Sequence, residues 1–297
     1  MRVLILGSTG FVGRHSSVEL VSRGHEVVGF GRTPIGASHR EVSVDLSDAQ
    51  ALARLPTTLA RRFDAAVLLA GVAVPGPRFD ERAAAINVGI ARHALAWLAE
   101  HSPGARVIVM SSAHVYGAQG DDKPLVEARA LSPNGPYGHS KLAVERIAHE
   151  SARQLSIVIV RSFNQIGRAM PDGLLVPDLI EALTHGAGPV VMKGADGVRD
   201  FLDVREGARA LADLVAADVE SGSVFNLCSG RGVALSTLAA GLARALGVER
   251  EVHFPTENPL PFVGSRAALA RAIRFEPQIP LAETLAWIAS EKREKRL

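Results

Sequence analysis

The sequence predicts a doubly wound parallel α/β fold. Uniformly apolar short runs alternate with longer segments of helical period, and a glycine-rich turn joins the first run to the first helix. Arg2–Leu6, Glu26–Phe30, Ala65–Ala70, Arg106–Ser111 and Ser156–Arg161 read as strands. They are apolar along their length rather than alternating, as parallel strands buried on both faces must be. Phe11–Ser22, Glu81–Glu100 and Tyr137–Gln154 read as the intervening helices. Beyond residue 163 glycine and proline interrupt the rhythm, and helices are expected at Val176–Leu183, Arg205–Ala217 and Leu235–Leu246. The expected division is a dinucleotide-binding domain over residues 1–163 and a smaller substrate lobe over 164–297, with parts of 199–230 returning to the sheet.

Composition narrows the class. A chain of 297 residues that is 47% hydrophobic and 22% charged builds a sizeable core. A net charge of +2 offers no footprint for nucleic acid or an acidic membrane surface, and the alternating charges of Glu291–Leu297 read as a solvated helix end. Cys228 is the single cysteine, so intrachain disulfides are excluded and no metal site is expected. Val3–Leu6 is too short for a signal peptide, and no stretch approaches the roughly 20 apolar residues of a membrane span. The expected location is the cytoplasm.

Gly7-Ser8-Thr9-Gly10-Phe11-Val12-Gly13 lies between the first strand and the first helix. The glycines allow a tight turn and close approach of a pyrophosphate, to which the helix N-terminus offers free N–H groups. This is the Rossmann position for NAD or NADP. The second strand ends in Gly31-Arg32, where an NAD site would place a carboxylate for the ribose 2′-hydroxyl; a guanidinium without that acid favours the 2′-phosphate of NADP(H), with NAD(H) as the other candidate. Asp45 and Leu46 are candidates for the adenine edge, and Leu69, Ala70 and Gly71 for the pyrophosphate.

Tyr137 and Lys141 stand four apart at the start of a helix, on one face. A nearby ammonium is expected to acidify the phenol for proton transfer near neutral pH. Ser111 and Ser112 close a strand on the ligand edge, where a hydroxyl can bond a substrate oxygen. Trp97 reads as core, Cys228 as a packing residue, His114 as a rim or substrate residue, and Asn87 as either a backbone cap or a contact of the cofactor loop.

With these residues in place the chain resembles the extended short-chain dehydrogenases/reductases, the nucleotide-sugar epimerases, dehydratases and ketoreductases. The resemblance rests on Gly7–Gly13, Ser111–Gly117, Tyr137–Lys141, Arg161–Asn164, Arg199–Phe201 and Phe225–Gly230. It implies an oxidoreductase in which Ser112, Tyr137 and Lys141 are catalytic, Lys141 also holding the nicotinamide ribose. Asn164 and Arg199 would bind the sugar nucleotide and its diphosphate, and Glu81–Glu100 with Tyr137–Gln154 would form a homodimer face. Three departures narrow it. Ala113 and His114 replace the Asp-Glu pair of dehydratases, the second-strand acid of most epimerases is missing, and Phe254-Pro255 stands where relatives carry Arg-Pro for the second phosphate. Arg231 and Arg266 are candidates to compensate. Asn226–Gly232, Glu257–Gly264 and Arg274–Pro277 resemble the NDP-4-keto-6-deoxyhexose reductases. The implied function is therefore NADPH-dependent reduction of a keto group on a nucleotide-linked sugar. The alternatives are a nucleotide-sugar 4-epimerase with tightly bound NAD(P), and a non-catalytic NADP-binding regulator.

Overall fold

A computed structural model describes residues 1–37, 39–56, 59, 61–73, 79–118, 120–192, 195–257 and 260–294. Positions 258 and 259 of the reductase-like tail and 295–297 of the C-terminal charge run lie outside them.

Seven parallel strands form the main sheet: β1 (Arg2–Leu6), β2 (Glu26–Gly31), β3 (Arg40–Ser43), β4 (Ala65–Leu68), β5 (Arg106–Ser112), β6 (Ser156–Ser162), and a later strand at Ser223–Leu227. From one edge, β3, β2, β1, β4, β5 and β6 follow in order, and Ser223–Leu227 pairs with β6 at the other edge. The chain reverses its winding between β1 and β4, the switch point where doubly wound sheets take ligands. This is the Rossmann-type fold that the apolar runs predict.

Side-chain alternation along each strand builds two cores from one sheet. Leu4, Leu6, Val107 and Val109 face α2 (Glu81–His101) and α3 (Gly135–Ser151), where Leu95, Trp97, Leu98 and Val144 meet them. Val3, Ile5, Ile108 and Val158 face the opposite way, onto Leu20 of α1 (Phe11–Ser22) and onto Leu211 and Leu214 of a helix at Val204–Ala216. Complete burial of such side chains is worth roughly 1.5–3 kcal/mol each, enough to specify which face a strand turns to which helix layer.

After β6 come β7 (Asn164–Ile166), α4 (Leu175–Thr184), β8 (Val190–Val191), β9 (Ala195–Asp196), β10 (Val198–Asp203) and α5 (Val204–Ala216). The sheet strand Ser223–Leu227 is β11, followed by β12 (Gly232–Ala234), α6 (Leu235–Leu246), β13 (Val252–His253), β14 (Thr256–Glu257), α7 (Ala267–Ile273) and α8 (Leu281–Glu294). β12, β10 and β7 form a small sheet, and Val176, Leu179, Leu238, Leu242, Leu285 and Ile288 close a separate core beneath it. No helix among the described residues is long and apolar enough to cross a membrane.

Candidate active site

The glycine turn is built by close contact. Gly7 sits at φ 96°, a region that L side chains avoid, and a Cβ there would meet the Ala70 amide nitrogen at 2.7 Å. A Cβ on Gly13 would lie 2.0 Å from the Gly7 carbonyl oxygen. The turn therefore abuts the Leu69–Gly71 loop after β4, joining the two edges of the switch point. Asn87 on α2 secures that loop: its Oδ1 accepts from the Val72 N–H at 2.7 Å and its Nδ2 donates to the Val72 carbonyl at 3.0 Å. Asn87 is thus both a backbone clamp and a support of the loop.

These residues fit a dinucleotide. Helix α1 has no side-chain cap and no acid in its first turn, so its leading N–H groups and positive dipole end remain available to phosphate. Arg14 clips the turn through a 3.0 Å bond from Nη2 to the Thr9 carbonyl, while its buried Nε has no hydrogen-bond partner. Sequence reasoning misses Arg14; the signal available was a cation directly after the third glycine. Two expectations change here. Ser8 is fully buried and, with Thr9, turns its side chain onto β2, so Ser8 supports the turn from below instead of facing a ligand. Leu46 is 5% exposed and packs into the core, because it continues the inward alternation after Val44. Asp45 stays exposed, its carboxylate held low by two hydrogen bonds from Ser47 and by nearby Arg32.

The second half of the site lies beyond β5. Pro136 sits in the first turn of α3, where a missing N–H costs nothing, and starts the helix just before Tyr137. Tyr137 and Lys141 share a face that looks toward the end of β5. Lys141 is buried, and its Nζ donates to the Met110 carbonyl at 3.2 Å. Desolvation lowers its pKa to about 8, against the pull of Glu145 one turn on.

The expected acidic phenol is not found. Burial holds the Tyr137 pKa above the ordinary tyrosine value, opposed by the neighbouring Ser112 hydroxyl, and Lys141 is not among the groups that shift it. The physical reason is that desolvation acts on both groups: it penalises the phenolate directly and engages the ammonium with a backbone carbonyl. Tyr137 is therefore a well-protonated donor at neutral pH.

Ser111 and Ser112 point to opposite sides of β5. Ser112 joins Tyr137, whereas the Ser111 hydroxyl donates to buried Glu145 Oε1 at 2.6 Å. Ser111 thus leaves the set of substrate contacts. Glu145 in turn holds Arg161 through two bonds of 2.9 and 3.0 Å, and Arg161 reaches the Tyr116 hydroxyl.

His114 follows Ser112 in a 3₁₀ turn at Ala113–Tyr116. Its ring meets Tyr137 edge-on at 5.3 Å and lies 6.3 Å from Phe262. It presents surface to solvent yet is ringed by protein, as a cleft wall is; desolvation and then Arg199 lower its pKa. Arg199 in β10 is half-buried and has no carboxylate partner among the described residues, so desolvation lowers its pKa unopposed. Neighbouring Asn164 on β7 is half-buried and donates to the Asp200 carbonyl at 2.8 Å. Phe254 packs against the lobe core, and Arg266 is engaged by Glu276 and the Ser229 carbonyl. Arg266 is thereby removed as a spare phosphate anchor.

Comparison with known proteins identifies the family. The family model described as "NAD dependent epimerase/dehydratase family" matches residues 3–228. The GDP-6-deoxy-D-mannose reductase of Pseudomonas aeruginosa is 26% identical over 98% of this chain and 96% of its own. UDP-glucose 4-epimerase 4 of Oryza sativa subsp. japonica is 26% identical over 82% of this chain and 76% of its own. The structure of RMD from Pseudomonas aeruginosa complexed with NADPH superposes with a TM-score of 0.84 at 27% identity, covering both chains fully. The chain belongs to the NAD dependent epimerase/dehydratase family and is an NAD(P)-dependent enzyme of the extended short-chain dehydrogenase/reductase type.

Proposed function

We propose that the protein uses NADPH to reduce a keto group on a nucleotide-linked 4-keto-6-deoxyhexose. The observation that carries this reading is that Tyr137 meets the end of β5, where the Ser112 hydroxyl eases its ionisation and the His114 ring lies edge-on at 5.3 Å, with Arg199 acting on that ring. When bound, the reduced nicotinamide supplies a hydride to the carbonyl carbon. Tyr137 gives its proton to the carbonyl oxygen, Ser112 polarises that oxygen, and Lys141 would hold the nicotinamide ribose. Arg199 holds the diphosphate and Asn164 the sugar nucleotide. In this reading residues 1–163 bind cofactor, 164–297 receive the substrate, and α2 with α3 form a homodimer face.

The NADP preference is supported by space as well as charge. A Cβ at Gly31 would stand 2.7 Å from Thr9 Oγ1 and 2.9 Å from Thr9 Cγ2, so the position for an NAD-selecting acid is already filled by Thr9. Arg32, next in the chain, is exposed and free to meet a 2′-phosphate. Arg32→Ala is expected to weaken NADPH binding by about tenfold to a hundredfold, the loss of one charge-assisted contact, and to leave NADH binding unchanged. Fluorescence titration with both cofactors checks this.

The function is tested by offering GDP-, dTDP- and UDP-linked 4-keto-6-deoxyhexoses with NADPH and following cofactor oxidation against product. One equivalent of NADPH oxidised per sugar supports the proposal. The second reading is a 4-epimerase, favoured by the likeness to UDP-glucose 4-epimerase 4. Interconversion of UDP-glucose and UDP-galactose by protein that purifies with bound NAD, without net oxidation of NADPH, would replace the proposal by that reading.

A further inference from the structure

Among the described residues the hydroxyl of Ser112 has two hydrogen-bond partners, and both belong to His114. The His114 backbone N–H donates to Oγ at 3.2 Å, and the ring Nδ1 lies 3.1 Å from the same oxygen. A hydroxyl has one proton to give and two lone pairs to fill. The backbone N–H can only donate, so it takes one lone pair. What remains depends on which ring nitrogen carries the proton. If Nδ1 carries it, both lone pairs are filled and the Ser112 proton is left for a substrate oxygen. If Nε2 carries it, the Ser112 proton is spent on His114 and the substrate loses that donor.

We infer that His114 is a positioning residue that holds Ser112 as a donor toward the substrate oxygen that Tyr137 protonates. The inference rests on the reading of Tyr137 as the proton donor. Ser112 is held from the His114 side by both the backbone and the ring, and that ring meets Tyr137 edge-on at 5.3 Å, so the hydroxyl is fixed beside the phenol. The groups that face the ring are Ser112 from β5, Tyr137 from α3, Arg199 from β10 and Phe262 from the segment before α7. Arg199 is the one charged group among the described residues that acts on it, and it favours the neutral ring, as does desolvation.

The proton balance is simple. Tyr137 Oη gives its proton to the substrate oxygen and becomes phenolate. The Ser112 proton stays on Oγ while it is donated to that oxygen, and the phenolate regains one proton from solvent before the next turnover.

The test is ¹⁵N NMR of histidine-labelled full-length protein, which needs neither substrate nor cofactor; the His114 signals are identified by their loss in His114→Gln. Nδ1 protonated at neutral pH in the wild type, and a shift of several-fold toward the Nε2–H tautomer in Ser112→Ala, is the expected result. A wild-type Nδ1 without a proton overturns the inference, whatever the fate of the serine variant. The catalytic arm uses whichever nucleotide-linked 4-keto-6-deoxyhexose the wild type reduces. His114→Ala removes the ring donor to Ser112 and is expected to lower kcat by about tenfold to a hundredfold with KM held, and His114→Asn, which keeps a donor to Ser112, to restore most of the loss. Full kcat in His114→Ala overturns that role. If the wild type reduces none of these sugars the functional reading falls, while the tautomer measurement still decides the role of His114 by itself.

Discussion

Tyr137→Phe is expected to lower turnover by about a thousandfold while leaving NADPH affinity within about twofold of the wild type. The variant isolates a single proton. The ring of Tyr137 meets Phe79 edge-on at 5.1 Å and His114 at 5.3 Å, contacts that phenylalanine keeps. Only the hydroxyl beside Ser112 disappears. The wild-type pH profile carries a second, independent signature. Since burial raises the phenol's pKa, the tyrosine stays protonated through and above the ordinary tyrosine range, and its ionisation does not set the first alkaline limb. That limb belongs to Lys141, whose ammonium is lost near pH 8. Turnover is therefore expected to fall as pH rises through about 8, and Lys141→Arg, with a cation that does not titrate there, to abolish that limb even if it turns over slowly. Near-normal turnover in Tyr137→Phe would remove the phenol from the mechanism.

Much of this site is legible in the sequence because buried parallel strands leave a strong mark. Runs such as Val3–Leu6 and Val107–Met110 have no polar alternation, so each fixes a strand, and the turn that follows each fixes a ligand edge. Tyr137 and Lys141 are placed by helical spacing alone. Other features need three dimensions. Ser111 and Ser112 are chemically identical in sequence, and only the phase of the strand decides that one enters the cleft and the other the Glu145–Arg161 network. β8, β9, β13 and β14 are two residues long, too short for any period to register. α7 and α8 escape because proline and glycine flank them and their apolar positions answer to the lobe and to β11 rather than to a local pattern. The phenol's pKa could not be read from spacing, because spacing gives proximity to a charge and says nothing of desolvation, which here is the larger effect.

Glu145→Leu is expected to cost about 3–5 kcal/mol of stability, since it leaves Arg161 charged, 5% exposed and without its carboxylate. Arg161 would retain only the Tyr116 hydroxyl and the Glu127 carbonyl as partners. Glu145→Leu combined with Arg161→Met is expected to recover most of that loss, because the largest part of the penalty is an unpaired buried charge rather than a missing attraction. Urea unfolding of the two singles and the double gives the coupling directly. Glu145→Gln separates charge from shape, and it reaches the active site through Lys141. Loss of the Glu145 charge removes the one influence that raises the lysine's pKa, so that value drops further below about 8 while the unfolded chain stays at the ordinary 10.5. Above pH 8 both native proteins hold a neutral lysine, and this contribution to their stability difference is absent. As pH falls below about 8 the wild type takes up its proton first, and the deficit of the variant widens. The alkaline limb of turnover should move to lower pH by the same displacement. Stability and catalysis would then report one lysine from two directions. A stability difference that stays flat with pH, beside an unmoved limb, would show that Glu145 serves Arg161 and Ser111 alone.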